Sequence, residues 1–471
     1  MFYSPTRYPS FQVTIEELSD KVLLKIFRYF LDASPRHWIK LVHICHKWRR
    51  IVFEAQQPLS LRLFCTQRTP VLETVDCWPT LPIILEYGGP LAHRPPTPED
   101  EDNIVAALNR SGRVTSITLT VTGSLMKKLY KLKGPFLELE DLHLSRDSTV
   151  PLILPNTFRW GPRLRRLHST GIAFPALLKL LSSSNLVDLR LHDVPNISYF
   201  SPKALTKALS GMSQLRSFSL HFPSTATCRD QSPSTEKRLV LPALTRLDFR
   251  GFTRYLEGLV DTIYAPQLED IEITLFYDSA FHPPKLRELI NRMEMRQSHS
   301  RAHILFSEDF ISLSLMQPGA PTCLRLQLLC KSLFVQHRST ARICVEFSPF
   351  LLNVRDLRIS VARPDIRETA HLELWSEILY PFTGVTRLHL DPDCLTNAMR
   401  VLLSSERKHQ NVVPVLLPIL RKLYIPQAAH QSHVPLAESV VSFITSRRRS
   451  GHLVEVYEQS CEIFRTGTCL V

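Results

Sequence analysis

A short apolar unit, Leu-x-x-Leu-x-Leu or a close variant, recurs along most of this 471-residue chain. It stands at Val114-Ile117-Leu119, Leu139-Leu142-Leu144, Leu164-Leu167, Leu186-Leu189-Leu191, Leu215-Phe218-Leu220, Leu244-Leu247-Phe249 and Leu268-Ile271-Ile273. It returns at Val354-Leu357-Ile359, Val385-Leu388-Leu390 and Leu420-Leu423-Ile425. The template alone says little, because a chain this apolar fills it at about 40 positions by chance. The rhythm says more. From Ile117 to Ile271 the central residues lie 25, 25, 22, 29, 29 and 24 apart, close to the period of about 20 to 29 residues found in stacked strand-plus-helix arrays.

Each unit ends in an apolar-polar alternation, the signature of a half-buried strand. Between units the spacing turns helical, as in Phe174 to Ser184 and Ser201 to Met212, and Ser201-Pro202 is a good helix start. Four units carry Pro-x-Leu, from Pro162, Pro242, Pro266 and Pro418. The expected fold class is therefore α/β, an irregular leucine-rich-repeat-like solenoid in which neighbouring units bury each other's leucines. The register falters between Phe276 and Asn353, where AHILF, FISLSL and LRLQLL look like successive strands without helices between them.

Composition narrows the functions. There are 72 leucines but only 14 glycines, and no glycine-rich phosphate loop, G-x-S-x-G or H-E-x-x-H motif occurs, so the common motif-bearing enzyme classes lack support. None of the ten cysteines forms a C-x-x-C pair, and buried or idle thiols are expected rather than zinc ribbons or disulfides. His37, His43, Cys45 and His46 cluster, but neighbouring helical positions point about 100° apart, so no metal or other cofactor is expected. No apolar run approaches the length of about 20 residues needed for a membrane span, and MFYSPTRYPS has no signal-like apolar core. A cytoplasmic or nuclear location follows as the expectation.

The segment from Gly88 to Asp102, GGPLAHRPPTPEDED, is rich in proline and acid and is read as a linker or exposed loop. The polar stretch Cys228 to Arg238 is read as a surface loop. Three regions result: a helical unit at 12–60, a connecting segment with the acidic linker at 61–103, and the repeat region at 104–471. In the first, Leu18, Val22, Ile26 and Phe30 form one helical stripe with Leu23 and Phe27 beside it, wider than a one-sided helix requires. A second helical pattern sets Leu41, Ile44, Cys45 and Trp48 on one face.

The order Leu18, Val22-Leu23, Ile26-Phe27, then Ile44-Cys45-x-x-Trp48-Arg49 resembles the F-box motif. With the repeats that follow, the chain is similar to the fungal F-box proteins with leucine-rich-repeat-like C-terminal regions. It departs from the motif at Ser19 and Lys21, where the family usually has proline and an acid. The resemblance implies a non-catalytic substrate receptor: the F-box docks on a Skp-type adaptor and through it a cullin, while the repeats hold an unidentified target protein for ubiquitination. By the same resemblance, Leu18, Val22, Leu23, Ile26, Phe27, Ile44, Cys45 and Trp48 form the adaptor surface or its support.

The target surface is expected on the strand face opposite the leucines, with Arg166, His168, Asp188, Arg190, Arg246, Asp248, Arg358, Arg387, His389 and Tyr424 as its candidates. The net charge of +13 invites nucleic acid, yet the predicted face mixes acids with bases instead of presenting a single-sign stripe with interleaved aromatics. A protein ligand is therefore favoured over nucleic acid. The alternatives are a repeat scaffold with no role in ubiquitin ligation and, third, a basic nucleic-acid-associated protein. Arg447-Arg448-Arg449 is read as a solvated helix end rather than a nuclear-localisation patch.

Overall fold

The computed structural model describes residues 15–54, 59–78, 80–88, 96–132, 134–146, 161–173, 181, 184–195, 200–224, 238–276, 283–292, 299–317, 322–330, 332–362, 372–407, 415–426 and 434–459. The protein is mixed α/β with mostly parallel strands. It divides into two compact units, the first closing at Leu164 and the second opening at Arg165.

In the first unit α1 (Asp20–Ala33), α2 (Trp38–Val42) and α3 (His46–Glu54) precede four strands. These are β1 (Leu63–Thr66), β2 (Ile83–Tyr87), β3 (Val114–Val121) and β4 (Asp141–Arg146), each parallel to the next. Two expectations are corrected here. The stretch 61–103 is no connecting segment, because LFCT and IILEY alternate buried and half-buried residues and pair in register, Leu63 opposite Ile83. Nor is the acidic run a linker. It opens the helix Pro98–Leu108, where Thr97 and Asp100 form a reciprocal capping box and the carboxylates face the positive end of the helix dipole. Glu101 is buried there and accepts the Thr122 hydroxyl at 2.8 Å and the Ser124 hydroxyl, with Lys128 Nζ at 3.2 Å. Residues 89–95 of the predicted linker lie outside the described residues.

The second unit contains β5 (Arg166–Thr170), β6 (Asp188–His192), β7 (Ser217–His221), β8 (Leu239–Val240), β9 (Arg246–Gly251), β10 (Ile263–Tyr264) and β11 (Asp270–Phe276). It continues with β12 (Arg301–Phe306), β13 (Phe310–Met316), β14 (Thr322–Leu329), β15 (Asp356–Val361), β16 (Arg387–Leu390), β17 (Lys422–Pro426) and β18 (Glu455–Gln459). Its main sheet runs β5-β6-β7-β9-β11-β14-β13-β12-β15-β16-β17-β18, while β8 and β10 pair separately. In this order β13 alone runs against its neighbours. Within the stretch where the repeat register falters, the three strands expected from AHILF, FISLSL and LRLQLL follow one another without helices between them and form an antiparallel meander. It is flanked by the helices Pro284–Arg292 and Leu333–Glu346, with β14 parallel to β11 and β12 parallel to β15.

The recurring leucines have a common local cause. Leu164, Leu244, Leu268 and Leu420 each donate their backbone N–H to the carbonyl three residues back, on Gly161, Leu241, Ala265 and Leu417. The residue after each of those carbonyls is the proline of Pro-x-Leu, and proline's fixed φ suits the second position of a β-turn. The leucine that closes the turn is fully buried, and the next two apolar positions of the unit are buried strand residues such as Leu247 and Phe249. Leu139, Leu215, Val354 and Val385 close the same turn without proline. Ser201 caps the helix Pro202–Leu209 as expected, its side chain accepting from the Ala204 N–H. The helix expected over Phe174 to Ser184, apart from Leu181 and Ser184, and the loop Cys228 to Arg238, apart from its last residue, lie outside the described residues.

Candidate functional site

The N-terminal helices sort the eight candidate adaptor residues into three groups. Leu23 and Phe27 are fully buried and Trp48 nearly so, with the Phe27 and Trp48 rings 4.8 Å apart. These three hold α1 against α3. Val22 at 43%, Ile26 at 41% and Ile44 at 57% exposure look outward, while Leu18 and Cys45 are half-buried. Tyr29 and Phe30 extend the exposed stripe of α1, since positions four and seven or eight residues apart share a helix face. Lys47 donates to the Leu18 carbonyl at 2.9 Å and Arg50 pairs with Asp20 at 3.1 Å, which fixes the start of α3 beside the start of α1. The second helical pattern is corrected: the chain turns at His43 to Cys45 between α2 and α3. Ile44 and Cys45 sit in that turn, so they do not share one helical face with Leu41 and Trp48. Trp38, fully buried, donates Nε1–H to the Arg62 carbonyl at 2.8 Å and packs edge-on against Trp78, which ties α2 to the start of β1.

In the second unit the ten candidate target residues do lie on the strand face opposite the buried leucines. One row across the sheet aligns Arg166, Asp188, Ser217, Arg246 and Asp270; the next aligns His168, Arg190, Ser219, Asp248, Glu272 and Arg325. Beyond the meander Asp356, Arg387 and Lys422 align, beside Arg358, His389 and Tyr424. The charges neutralise one another across and along strands. Asp188 meets His168 at 3.2 Å and Arg190 at 3.0 Å, and Arg246 meets Asp270 at 3.4 Å and Glu272 at 3.7 Å. Arg325 meets Glu272 at 3.0 Å, and Asp356 meets His389 at 3.0 Å and Arg387 at 3.2 Å. Burial pushes the Asp188 carboxyl up, but hydrogen bonds from His168 and Arg190 outweigh it and hold the pKa down to about 2. The face ends in an aromatic stack, His389 on Tyr424 at 4.1 Å and Tyr424 on Tyr457 at 5.1 Å.

Sequence reasoning passed over His192 and His221, although each directly follows the last leucine of its unit, in LRLH and SFSLH. Their rings stack at 4.0 Å and within 4° of parallel. Between them and Asp248 lies the Ser219 hydroxyl, 2.8 Å from His192 Nε2, 3.2 Å from His221 Nε2 and 2.8 Å from Asp248 Oδ2. Asp248 Oδ1 is also 2.9 Å from His221 Nε2. Burial, then the neighbouring His221, pushes the His192 pKa down to about 4, so its imidazole is neutral at physiological pH. This is no nucleophile relay. Ser219 is buried, and serine and aspartate approach the same ring nitrogen of His221, whereas a relay uses opposite ones.

Arg447 is a second correction. It is fully buried, paired with the buried Glu406 at 2.6 Å and donating to the Leu416 and Pro418 carbonyls; Arg448 and Arg449 stay exposed. The thiols follow burial, with Cys65 and Cys330 pushed up to about 11 and Cys344 and Cys394 also raised. Among the described residues no helix is long and apolar enough to cross a membrane.

These features define a mixed α/β protein that presents an apolar helical face in one unit and a charge-paired strand face in the other. No protein-family model matches the chain, and no curated protein matches it.

Proposed function

We propose that this chain is a substrate-recognition subunit of a Skp-cullin-F-box type ubiquitin ligase: an F-box-like helical unit binds a Skp-type adaptor, and a leucine-rich-repeat-like solenoid tethers a target protein. The observation that carries this reading is the exposed stripe Val22, Ile26, Tyr29 and Phe30 on a helix whose adjacent face is already closed by Leu23, Phe27 and Trp48. A helix whose apolar arc is wider than its own core covers serves that core and a partner's at once. The mechanism is tethering, which raises the effective concentration of target lysines near a ubiquitin-charged enzyme and needs no catalytic residue in this chain. The mosaic of paired charges supports a protein target over nucleic acid, because a phosphate backbone calls for unneutralised bases.

The test is capture of the full-length chain by a purified Skp-type adaptor. Val22→Asp with Ile26→Asp places two charges in the apolar contact and is expected to weaken binding at least about 100-fold, or about 2.7 kcal/mol, without loss of folding. A wild-type chain that the adaptor does not capture, beside an established F-box protein that it does, overturns the reading and leaves a repeat scaffold without a ligase role.

A further inference from the structure

The strands β6, β7 and β9 bring together two imidazoles and one carboxylate whose donor atoms, on His192, His221 and Asp248, all lie within 4.8 Å of one another. We propose that these three residues form a binding site for one divalent transition-metal ion of the zinc class, with Ser219 positioning the carboxylate and a further coordination position facing away from the sheet. The proposal stands apart from the ubiquitin-ligase reading.

Four observations carry it. The donors come from consecutive strands of a rigid parallel ladder, in which Ser219 is registered opposite Arg190 and Asp248, so their backbones need not move to accept an ion. An ion about 2.0 to 2.2 Å from each donor needs them about 3.3 Å apart. His221 Nε2 and Asp248 Oδ1 are already 2.9 Å apart, and the widest pair needs to close by about 1.5 Å, within reach of χ rotation on half-buried side chains; the parallel rings must tilt toward each other as they do so. The Ser219 hydroxyl donates to Asp248 Oδ2, leaving Oδ1 to turn toward an ion, the kind of outer contact that orients ligating carboxylates. Nearby cations are already engaged. Arg190 is held by Asp188 at 3.0 Å and the Arg250 guanidinium lies over the Phe276 ring at 5.9 Å, while Asp193, exposed and next to His192, adds negative charge.

The donor set selects the class of ion. Two imidazoles with one carboxylate suit zinc, cobalt, nickel or copper, whereas calcium and magnesium call for oxygen ligands throughout. The metal-free full-length chain is therefore titrated with Co2+ and followed by its visible absorption. One equivalent is expected to bind and to be displaced by Zn2+ but not by Mg2+. His221→Gln or Asp248→Asn should weaken binding at least about 100-fold, and Ser219→Ala about tenfold, as for outer contacts elsewhere. Failure of the wild-type chain to bind one equivalent overturns the proposal. So does undiminished binding by the His192→Gln, His221→Gln double variant, which would place the ion on other histidines. Should a variant not fold, the wild-type chain decides: Zn2+ is expected to protect His192 and His221 from diethylpyrocarbonate, mapped by peptide mass, and equal labelling with and without zinc refutes the site.

Discussion

The outer stripe of α1 and the strand face of the second-unit sheet are both presented to solvent, but in opposite chemistry. On α1 the exposed groups are Val22, Ile26, Tyr29 and Phe30, whose contribution to any contact is burial, proportional to area and indifferent to direction. On the sheet the exposed groups are arginines, histidines and acids already engaged with one another. A partner there gains little from raw attraction and must match a pattern. The first surface suits a constant partner and the second a selective one, since charge arrangement contributes more to discrimination than to affinity.

The difference can be broken at its strongest point by comparing the two sides of α1. Phe27→Ala removes a fully buried ring from its packing on Trp48 and is expected to destabilise the first unit by about 3 to 5 kcal/mol. Ile26→Ala, one residue away but 41% exposed, should change stability by less than about 1 kcal/mol while weakening adaptor capture. Urea denaturation of both variants checks this, and equal losses would mean that the outer stripe is covered by the chain itself.

A smaller effect separates the half-buried fringe of the sheet face from its exposed part. His303 on β12 bonds to the Ser360 hydroxyl at 3.0 Å, and burial, then Arg358 and Arg325, pushes its pKa down to about 4. A free histidine titrates near 6.5, so as pH falls through that value the unfolded chain takes up a proton that the folded chain refuses. Stability contributed by neutral His303 is therefore complete above about pH 6.5, is lost progressively down to about pH 4 and then levels off. His303→Gln should flatten that part of the urea midpoint against pH. An unchanged slope would assign the loss to other groups.

The smallest effect is expected where the sheet is most charged. Arg246→Ala deletes contacts to Asp270 and Glu272 from a side chain that is half exposed, and pairs of this kind contribute about 0.2 to 1 kcal/mol. Its stability change should shrink further in 1 M salt. A loss above about 2 kcal/mol would show the ladder to be structural rather than a recognition surface.

How much could be read from the chain depended on whether a residue's role was set by its neighbours in sequence. The strand face from Arg166 to Tyr424 was legible because alternation along a strand decides which side each residue takes. Ser201 was legible because a cap is local. β1 and β2 escaped because Leu63 and Ile83 stand outside the even rhythm that marks Ile117 to Ile271, and the acids after Pro98 passed for a linker because helix starts and loops draw on the same residues. Arg447 misled for a different reason. Its partner Glu406 lies 41 positions away, and no local pattern distinguishes an arginine that has found a buried carboxylate from one that has not. The inner and outer members of the α1 stripe could be named from sequence but not assigned, because that depends on where α3 sits.

The meander of β12, β13 and β14 has a consequence for how the chain can be assembled. Elsewhere in the second unit a strand lies beside one made shortly before it, so the sheet can lengthen as the polypeptide is made. At β11 that order is suspended. The neighbour of Glu272 is Arg325, 53 positions later, and β12 and β13, though made first, have places farther out. A chain growing from its N-terminus therefore carries an unfilled edge at β11 until three further strands exist, and these must arrive together, as a hairpin pair read backwards. β14 then seals the earlier edge while β12 presents a new one of the same polarity for β15.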